Sequence, residues 1–140
     1  MDCCLKYYSE LIFVNSSPIV WYSKRQNTVE TSSFGSEFNA LRVATEHIIA
    51  LRYKLRMFGL HVDGPAYVYS DNEAVSMNSS VPESTLNKRH NSICYHMIRE
   101  AVAAGVLAVG WIPGTKNPAD LFTKCILSLV DVMYLQMSLT

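Results

Sequence analysis

The feature that most constrains this fold is a run of apolar residues at helical spacing. Its members recur three, four or seven positions apart, so they share one face of a long helix: Phe34, Phe38, Leu41, Ile48, Leu51, Leu55 and Phe58. Thr31, Ser32 and Ser33 offer N-cap side chains before the run, and Gly59 is typical of a helix end. We therefore expect a long helix that packs against another layer of the domain.

Short β-rich segments surround this helix. Residues 11–14 and 19–23, separated by a turn at 15–18, predict a hairpin, and residues 66–70 and 106–112 predict two further strands. We expect a helix-like segment at 72–77, a loop at 78–87 and a second long helix at 89–104. The inner face of that second helix is predicted to carry Ile93, Met97, Ala101 and Ala104. A short helix opens at Asn117 and Pro118. This order indicates one α/β domain, spanning residues 1–140, with a mixed sheet.

Composition narrows the class of protein. The chain has 140 residues, 49% of them hydrophobic and 17% charged, which is typical of a globular domain. Twelve basic residues balance twelve acidic ones, so phosphate binding would depend on local clusters. Residues 101–113 are too few to span a bilayer, and no membrane partner is expected. Cys3, Cys4, Cys94 and Cys125 form no CxxC motif and have no ligand spacing with histidines, which indicates reduced thiols in an intracellular protein and disfavours zinc.

Three acids have noteworthy positions: Glu37, Asp71 and Asp120 are each predicted in or just before the first turn of a helix. Taken singly, an acid there most often caps the helix or offsets its dipole. Asp71 is the most suggestive, because acids at the carboxyl end of a strand in an open α/β sheet face the usual ligand crevice. Taken together, the three fit phosphodiester hydrolysis by divalent metal ions, which needs carboxylates converging from separate elements.

Two basic clusters are candidates for phosphate binding. One is Lys24 with Arg25, after the predicted hairpin, and the other is Lys88, Arg89 and His90, at the start of the second long helix. A solvated surface is the ordinary interpretation of each cluster, and contact with a nucleic-acid backbone is the alternative.

Five segments of the chain match, in order along the sequence, the motifs of one protein family. Residues 21–29 resemble W-S-S-K-K-Q-x-x-V, residues 32–41 resemble S-S-T-E-A-E-Y-x-A-L, and residues 67–74 are similar to x-x-x-C-D-N-x-x-A. Residues 89–100 resemble K-H-I-x-x-x-Y-H-x-x-R-E, and residues 117–124 resemble x-x-A-D-I-L-T-K. Together these segments resemble the ribonuclease H domain of Ty1/copia-type retrotransposon Pol polyproteins. The resemblance covers about residues 11–124 and leaves the tail, 125–140, unmatched.

This resemblance implies a ribonuclease H-like mixed sheet flanked by helices and cleavage of the RNA strand in RNA–DNA hybrids. It assigns Glu37, Asp71 and Asp120 as the second, third and fourth catalytic carboxylates, binding two Mg²⁺ or Mn²⁺ ions. It also implies hybrid binding by Lys24, Arg25, Lys88, Arg89 and His90. The implied partners are the hybrid and the reverse transcriptase portion of the polyprotein. The implied location is intracellular, in a cytoplasmic virus-like particle or in the nucleus.

The sequence departs from the family at its start. The family's first carboxylate lies in a strand before the hairpin, but residues 1–10 contain no such motif, and Asp2 lies too close to the hairpin. We therefore expect an N-terminally truncated domain that lacks its first strand, exposes a sheet edge and has impaired activity. The apolar residues of the tail suit a docking helix. The alternatives are a non-catalytic remnant that binds nucleic acid or protein, and an unrelated α/β domain whose acids cap helices.

Overall fold

The computed structural model describes residues 7–25, 33–81, 92–117 and 130–137. These ranges contain five strands and three helices, with a 3₁₀ turn at Gly114–Lys116. The elements are β1 (Tyr7–Val14), β2 (Ser17–Arg25), α1 (Ser33–Met57), β3 (Ala66–Ser70), α2 (Glu73–Ser80), α3 (Ser92–Ala103), β4 (Leu107–Trp111) and β5 (Val130–Met137). The predicted α/β class with a mixed sheet is confirmed, and the architecture is compatible with a ribonuclease H-like fold.

The hairpin is longer and tighter than its sequence predicts. Its turn is Asn15 and Ser16 alone, and Asn15 has a φ of 53°, a left-handed conformation that asparagine tolerates better than most residues. Pro18, expected in the turn, instead lies in β2 opposite Phe13, where the register shifts. A proline is acceptable there because β2 is at the edge of the sheet.

The sheet order is β2-β1-β5-β3-β4, so the strand nearest the chain's end lies at the centre. β5 pairs with β1 in parallel and with β3 antiparallel, while β3 and β4 are parallel. The prediction of a docking helix in the tail is wrong for residues 130–137, whose valines and tyrosine favour a strand. Because β5 pairs with both β1 and β3, the edges of the described sheet are β2 and β4. The exposed edge expected from a missing strand stays a prediction.

Helix α1 has the predicted apolar face over most of its length. Phe38, Leu41 and Ile48 are fully buried, and the helix packs against β1, β5, α2 and α3. Phe58 is the exception: it lies past the helix end and is 80% exposed. Gly59, with a φ of 78°, reverses the chain there, in a conformation that favours glycine.

Helices α2 and α3 differ from their predictions in extent and in face. α2 continues to Ser80, and in its last turns Asn78 and Ser79 donate side-chain hydrogen bonds to the backbone carbonyls four residues earlier. The described part of α3 begins at Ser92, and its buried residues are Tyr95, Ile98 and Ala101. The predicted burial of Ala101 is confirmed. The predicted burial of Ile93 and Ala104 is wrong, because Ile93 is 80% exposed and Ala104 is also exposed.

The core lies between the sheet and the three helices, around Phe38, Ile12, Ile48, Val68 and Leu107. In the described part of the chain, no helix is long and apolar enough to cross a membrane. Three of the four cysteines lie outside the described residues, so the reduced state of the thiols stays a prediction.

Candidate active site

Asp71 follows the last residue of β3 and is exposed at the end of the sheet. Its backbone carbonyl accepts a hydrogen bond of 2.9 Å from Nε1 of Trp111, at the end of the neighbouring strand β4. On the other side, Oδ2 of Asp71 lies close to Gly114, 3.8 Å from where a Cβ would stand. The end of β4 therefore holds the backbone of Asp71 through Trp111, and the turn after β4 lies near its carboxylate.

The N-cap of α2 is Asn72, not Asp71. The Oδ1 of Asn72 accepts a hydrogen bond from the backbone N of Ala74 at 2.9 Å. The backbone N of Asn72 in turn donates to Oγ of Ser70 at 3.2 Å. Capping, which is the commonest role of an acid at this position, is thus performed by the next residue, and the carboxylate of Asp71 is not needed for it.

Glu37 lies in the second turn of α1, past the first turn where an acid would offset the helix dipole. The residue is half-buried, and its Oε2 is shielded from solvent. Aromatic packing fixes this part of the helix: the rings of Phe34 and Phe38 lie 5.3 Å apart, and Phe38 stacks on Tyr95 of α3 at 6.1 Å. The carboxylate is therefore carried by an anchored stretch of helix.

The third predicted carboxylate, Asp120, lies outside the described residues, as do Lys88, Arg89 and His90. Asn117, three residues before Asp120, is buried, and its backbone N donates to the carbonyl of Gly114 at 3.3 Å. Among the described residues, no group of three His, Cys, Asp or Glu side chains is placed to hold a metal ion. The convergence of Glu37, Asp71 and Asp120 on shared metal ions stays a prediction.

Lys24 and Arg25 lie at the same end of the sheet as Asp71. They pair with Tyr8 and Tyr7 at the start of β1, and β5 begins beside the same residues. β3 runs antiparallel to β5, so its last residue, Ser70, points toward that end. Three strand spacings separate β2 from β3, a distance of about 15 Å. Both basic residues are exposed.

The motif around Tyr95 forms part of the core. Tyr95 is buried, and Arg99 donates a hydrogen bond to its hydroxyl and lies 5.0 Å from the centre of its ring. His96 meets the same ring edge-on at 5.4 Å. Within the described residues, this motif couples α3 to α1 through Phe38.

The sequence prediction missed the hydrogen bond from Trp111 that positions Asp71, and the proximity of Gly114 to its carboxylate. Trp111 and Asp71 are 40 residues apart, and no local pattern announces that contact. The only local signal is that an aromatic residue, Trp111, lies near the end of the last predicted strand and a glycine, Gly114, follows that strand, at the end of the sheet where a ligand crevice is normally found.

Comparison with known proteins relates the chain to mobile genetic elements. It is 27% identical over 114 residues to the Retrovirus-related Pol polyprotein from transposon RE1 and 26% identical over 114 residues to that from transposon RE2, both of Arabidopsis thaliana. Each match covers 81% of this chain and 8% of the relative. It is also 33% identical over 119 residues to the Retrovirus-related Pol polyprotein from transposon TNT 1-94 of Nicotiana tabacum, covering 83% of this chain and 9% of that protein.

The chain is therefore homologous to retrovirus-related Pol polyproteins of plant transposons over about four fifths of its length. It spans less than a tenth of the length of these curated relatives. No protein-family model matches the sequence. No solved structure matches it either.

Proposed function

We propose that this chain is a retroelement-derived ribonuclease H-type domain that hydrolyses the RNA strand of RNA–DNA hybrids. The homology to Pol polyproteins and the mixed α/β sheet support a domain of this kind. The observation that carries the proposal is the setting of Asp71. It is an exposed acid at the carboxyl end of a central strand, anchored through its backbone by Trp111, with capping left to Asn72.

The proposed cofactor is Mg²⁺ or Mn²⁺, as two ions held by Glu37, Asp71 and Asp120. The donor set suits these ions, because hard divalent cations prefer carboxylate oxygens. When bound, such ions activate water and stabilise negative charge on the leaving 3′ oxygen. The chain supplies the frame: the packed first half of α1 holds Glu37, and the turn at Gly114 lies against the carboxylate of Asp71.

Charge counting predicts weak metal binding by this carboxylate set. Two divalent ions bring four positive charges, and three carboxylates offset three of them. Every ligand position left to water loosens the geometry that in-line attack requires. We therefore expect slow cleavage, faster with Mn²⁺ than with Mg²⁺, because Mg²⁺ demands nearly ideal octahedral coordination.

The proposed nucleic-acid contacts are with phosphates. Lys24 and Arg25 share the sheet end with Asp71, and we assign the same role to Lys88, Arg89 and His90. Such contacts bind a hybrid at the backbone and carry no sequence information. The hybrid, and the reverse transcriptase portion of the same polyprotein, are the proposed partners. The proposed location is intracellular, in a cytoplasmic virus-like particle or in the nucleus.

The test is cleavage of a hybrid with end-labelled RNA by the purified chain, with Mg²⁺ and with Mn²⁺. Asp71→Asn and Glu37→Gln should each abolish cleavage, since each removes a metal ligand and a negative charge. Glu73→Gln is the matched control: it removes an exposed acid two residues from Asp71, in the first turn of α2, and should keep the parent rate.

Cleavage that survives Asp71→Asn would contradict the assigned site. Salt-sensitive binding of the hybrid without any cleavage, in either metal, would instead support the alternative of a non-catalytic nucleic-acid-binding module. Lys24→Ala tests the proposed phosphate contact itself. It should weaken hybrid binding about equally for all sequences and reduce the salt dependence by roughly one charge.

A further inference from the structure

A cleft of about 320 Å³ lies between the β1–β2 hairpin and the second half of α1. Its apolar walls are Ile12 of β1, Val20 of β2, and Ala50 and Leu51 of α1. Val20 is 36% exposed and Leu51 is half-buried, so both leave apolar surface to water. The volume is at the lower end of the range for small-molecule sites.

The cleft is separate from the candidate active site. His47 lines the cleft and follows Glu37 by ten residues of α1, about 15 Å along a helix axis. The assigned acids and basic clusters are not among its lining residues.

Each end of the cleft carries a polar group, and the middle is apolar. His47 and Lys54 both line it and are seven residues apart on α1, which places them on one face about 10 Å apart along the axis. Ala50 and Leu51 lie between them on the same face. A ligand that fills this space has two polar ends and a slender apolar body.

A buried acid holds the imidazole of His47 in place. The Nδ1 of His47 lies 2.7 Å from Oε2 of Glu10. The side chain of Glu10 has no exposed surface, and its Oε1 has no hydrogen-bond partner within the described structure. The ring of Tyr22 meets that of His47 edge-on at 5.9 Å, on the hairpin side of the cleft. With Nδ1 engaged by Glu10, the nitrogen left for a ligand is Nε2.

We propose that this cleft binds a small aromatic carboxylate with a hydroxyl group at its far end. The carboxylate pairs with the ammonium of Lys54, and the ring packs on Leu51 and Val20. The hydroxyl bonds to Nε2 of His47. A hydroxyl suits this position in either tautomer of the ring, because it donates to a bare nitrogen and accepts from a protonated one. This site is independent of the proposed nuclease function.

The test is a titration of the ¹⁵N-labelled full chain, followed by NMR, with three related probes. These are 3-(4-hydroxyphenyl)propionate, 3-phenylpropionate, which lacks the hydroxyl, and 3-(4-hydroxyphenyl)propionamide, which lacks the charge. We expect saturable binding of the first probe at about millimolar concentration, as its size allows. Each of the other two should bind roughly threefold to fivefold more weakly.

Variants locate the interaction. Lys54→Met keeps an apolar side chain and removes the charge. It should abolish the preference for 3-(4-hydroxyphenyl)propionate over 3-(4-hydroxyphenyl)propionamide and leave the affinity for the propionamide unchanged. Lys116→Met, in the 3₁₀ turn after β4, removes a lysine elsewhere and should change nothing. Leu51→Trp should fill the cleft and block all three probes. Thermal unfolding of each variant shows whether the fold is retained.

Any one of four results would overturn the proposal. The probes could bind equally well, the shifts could map outside β1, β2 and the second half of α1, or Lys54→Met could leave the carboxylate preference intact. Failure of the acid probe to saturate below about 20 mM would also exclude a site of this affinity.

Discussion

Trp111 is the residue whose chemistry is hardest to explain by packing alone. Its side chain is 49% exposed, yet its Nε1–H donates to the carbonyl of Asp71. We infer that it positions Asp71. Trp111→Phe keeps an aromatic ring and removes the donor, so it should cost about 1 kcal/mol of stability, the net value of one hydrogen bond. Under the proposed function it should also lower kcat/KM for hybrid cleavage by more than tenfold, because a small displacement of a residue that binds metal slows the reaction strongly.

Activity and stability together distinguish positioning from folding. Urea unfolding gives the free energy of unfolding, and cleavage is assayed far below the unfolding transition. If the loss of activity in Trp111→Phe is no larger than the fraction of unfolded protein accounts for, Trp111 has no positioning role.

Glu10 is a buried acid, and its burial predicts how stability depends on pH. Burial raises the pKa of Glu10, while the hydrogen bond and the charge of His47 act in the opposite direction. A raised pKa in the folded state means that the folded protein holds the proton more tightly than the unfolded chain. The contribution of Glu10 to stability is therefore present at acid pH and is lost as pH rises through the folded-state pKa.

Glu10→Gln removes this titration and leaves a side chain of the same shape beside His47. Relative to the parent, we expect the variant to gain stability as the pH is raised above the ordinary pKa of a glutamate carboxyl group and through the raised pKa of Glu10 in the folded protein. Urea unfolding at several pH values measures the difference. A parent that instead gains stability over the variant with rising pH would show that His47 outweighs burial.

The start of α2 allows a test of which side chain caps a helix. Oδ1 of Asn72 accepts the hydrogen bond from the backbone N of Ala74, so Asn72→Ala should destabilise the chain by about 1 kcal/mol. Asp71→Asn should change the free energy of unfolding by less than about 0.5 kcal/mol, since Asp71 is exposed and does not cap the helix. An equal loss in the free energy of unfolding for Asn72→Ala and Asp71→Asn would indicate that Asp71 has a structural role.

Local periodicity predicts the buried face of α1 well and that of α3 poorly. The difference arises because the buried face of α3 depends on which residues of other elements it contacts. Phe38, Leu41 and Ile48 are spaced so regularly that one face is unmistakable, and that face is buried. In α3 two faces are apolar, one with Ile93 and the other with Ile98. The stacking of Tyr95 on Phe38 of α1 selects the face with Ile98. That selection depends on a partner far away in the chain.

The same limit applies to the candidate site. The motif resemblance suggested Glu37 and Asp71 as site residues, and local turn chemistry suggested a strand that ends at Asp71. The hydrogen bond from Trp111 to Asp71 and the proximity of Gly114 to Asp71 join segments 40 or more residues apart, so periodicity and turn signals do not predict them. Asp120 stays a prediction, because it lies outside the described residues.

At the scale of the whole molecule, the centre of the sheet depends on the two ends of the chain. β1 and β5 are parallel neighbours although more than a hundred residues separate them. The hairpin could be predicted because its strands are adjacent in sequence. The position of β5 could not, because strand pairing across the chain leaves no local pattern, and a strand as apolar as Val130–Met137 is easily mistaken for part of a helix.

This topology predicts that stability depends on residues 130–137. Without β5, β1 and β3 each lose the backbone hydrogen bonds that they form with it. The core around Ile12 and Val68 lies beside the gap that this would leave in the sheet. Removal of residues 130–140 should therefore abolish cooperative urea unfolding or lower the free energy of unfolding by several kcal/mol. Removal of residues 138–140 alone leaves β5 intact and should have little effect. Equal midpoints and m-values for the two truncated chains would show that β5 does not complete the sheet in solution.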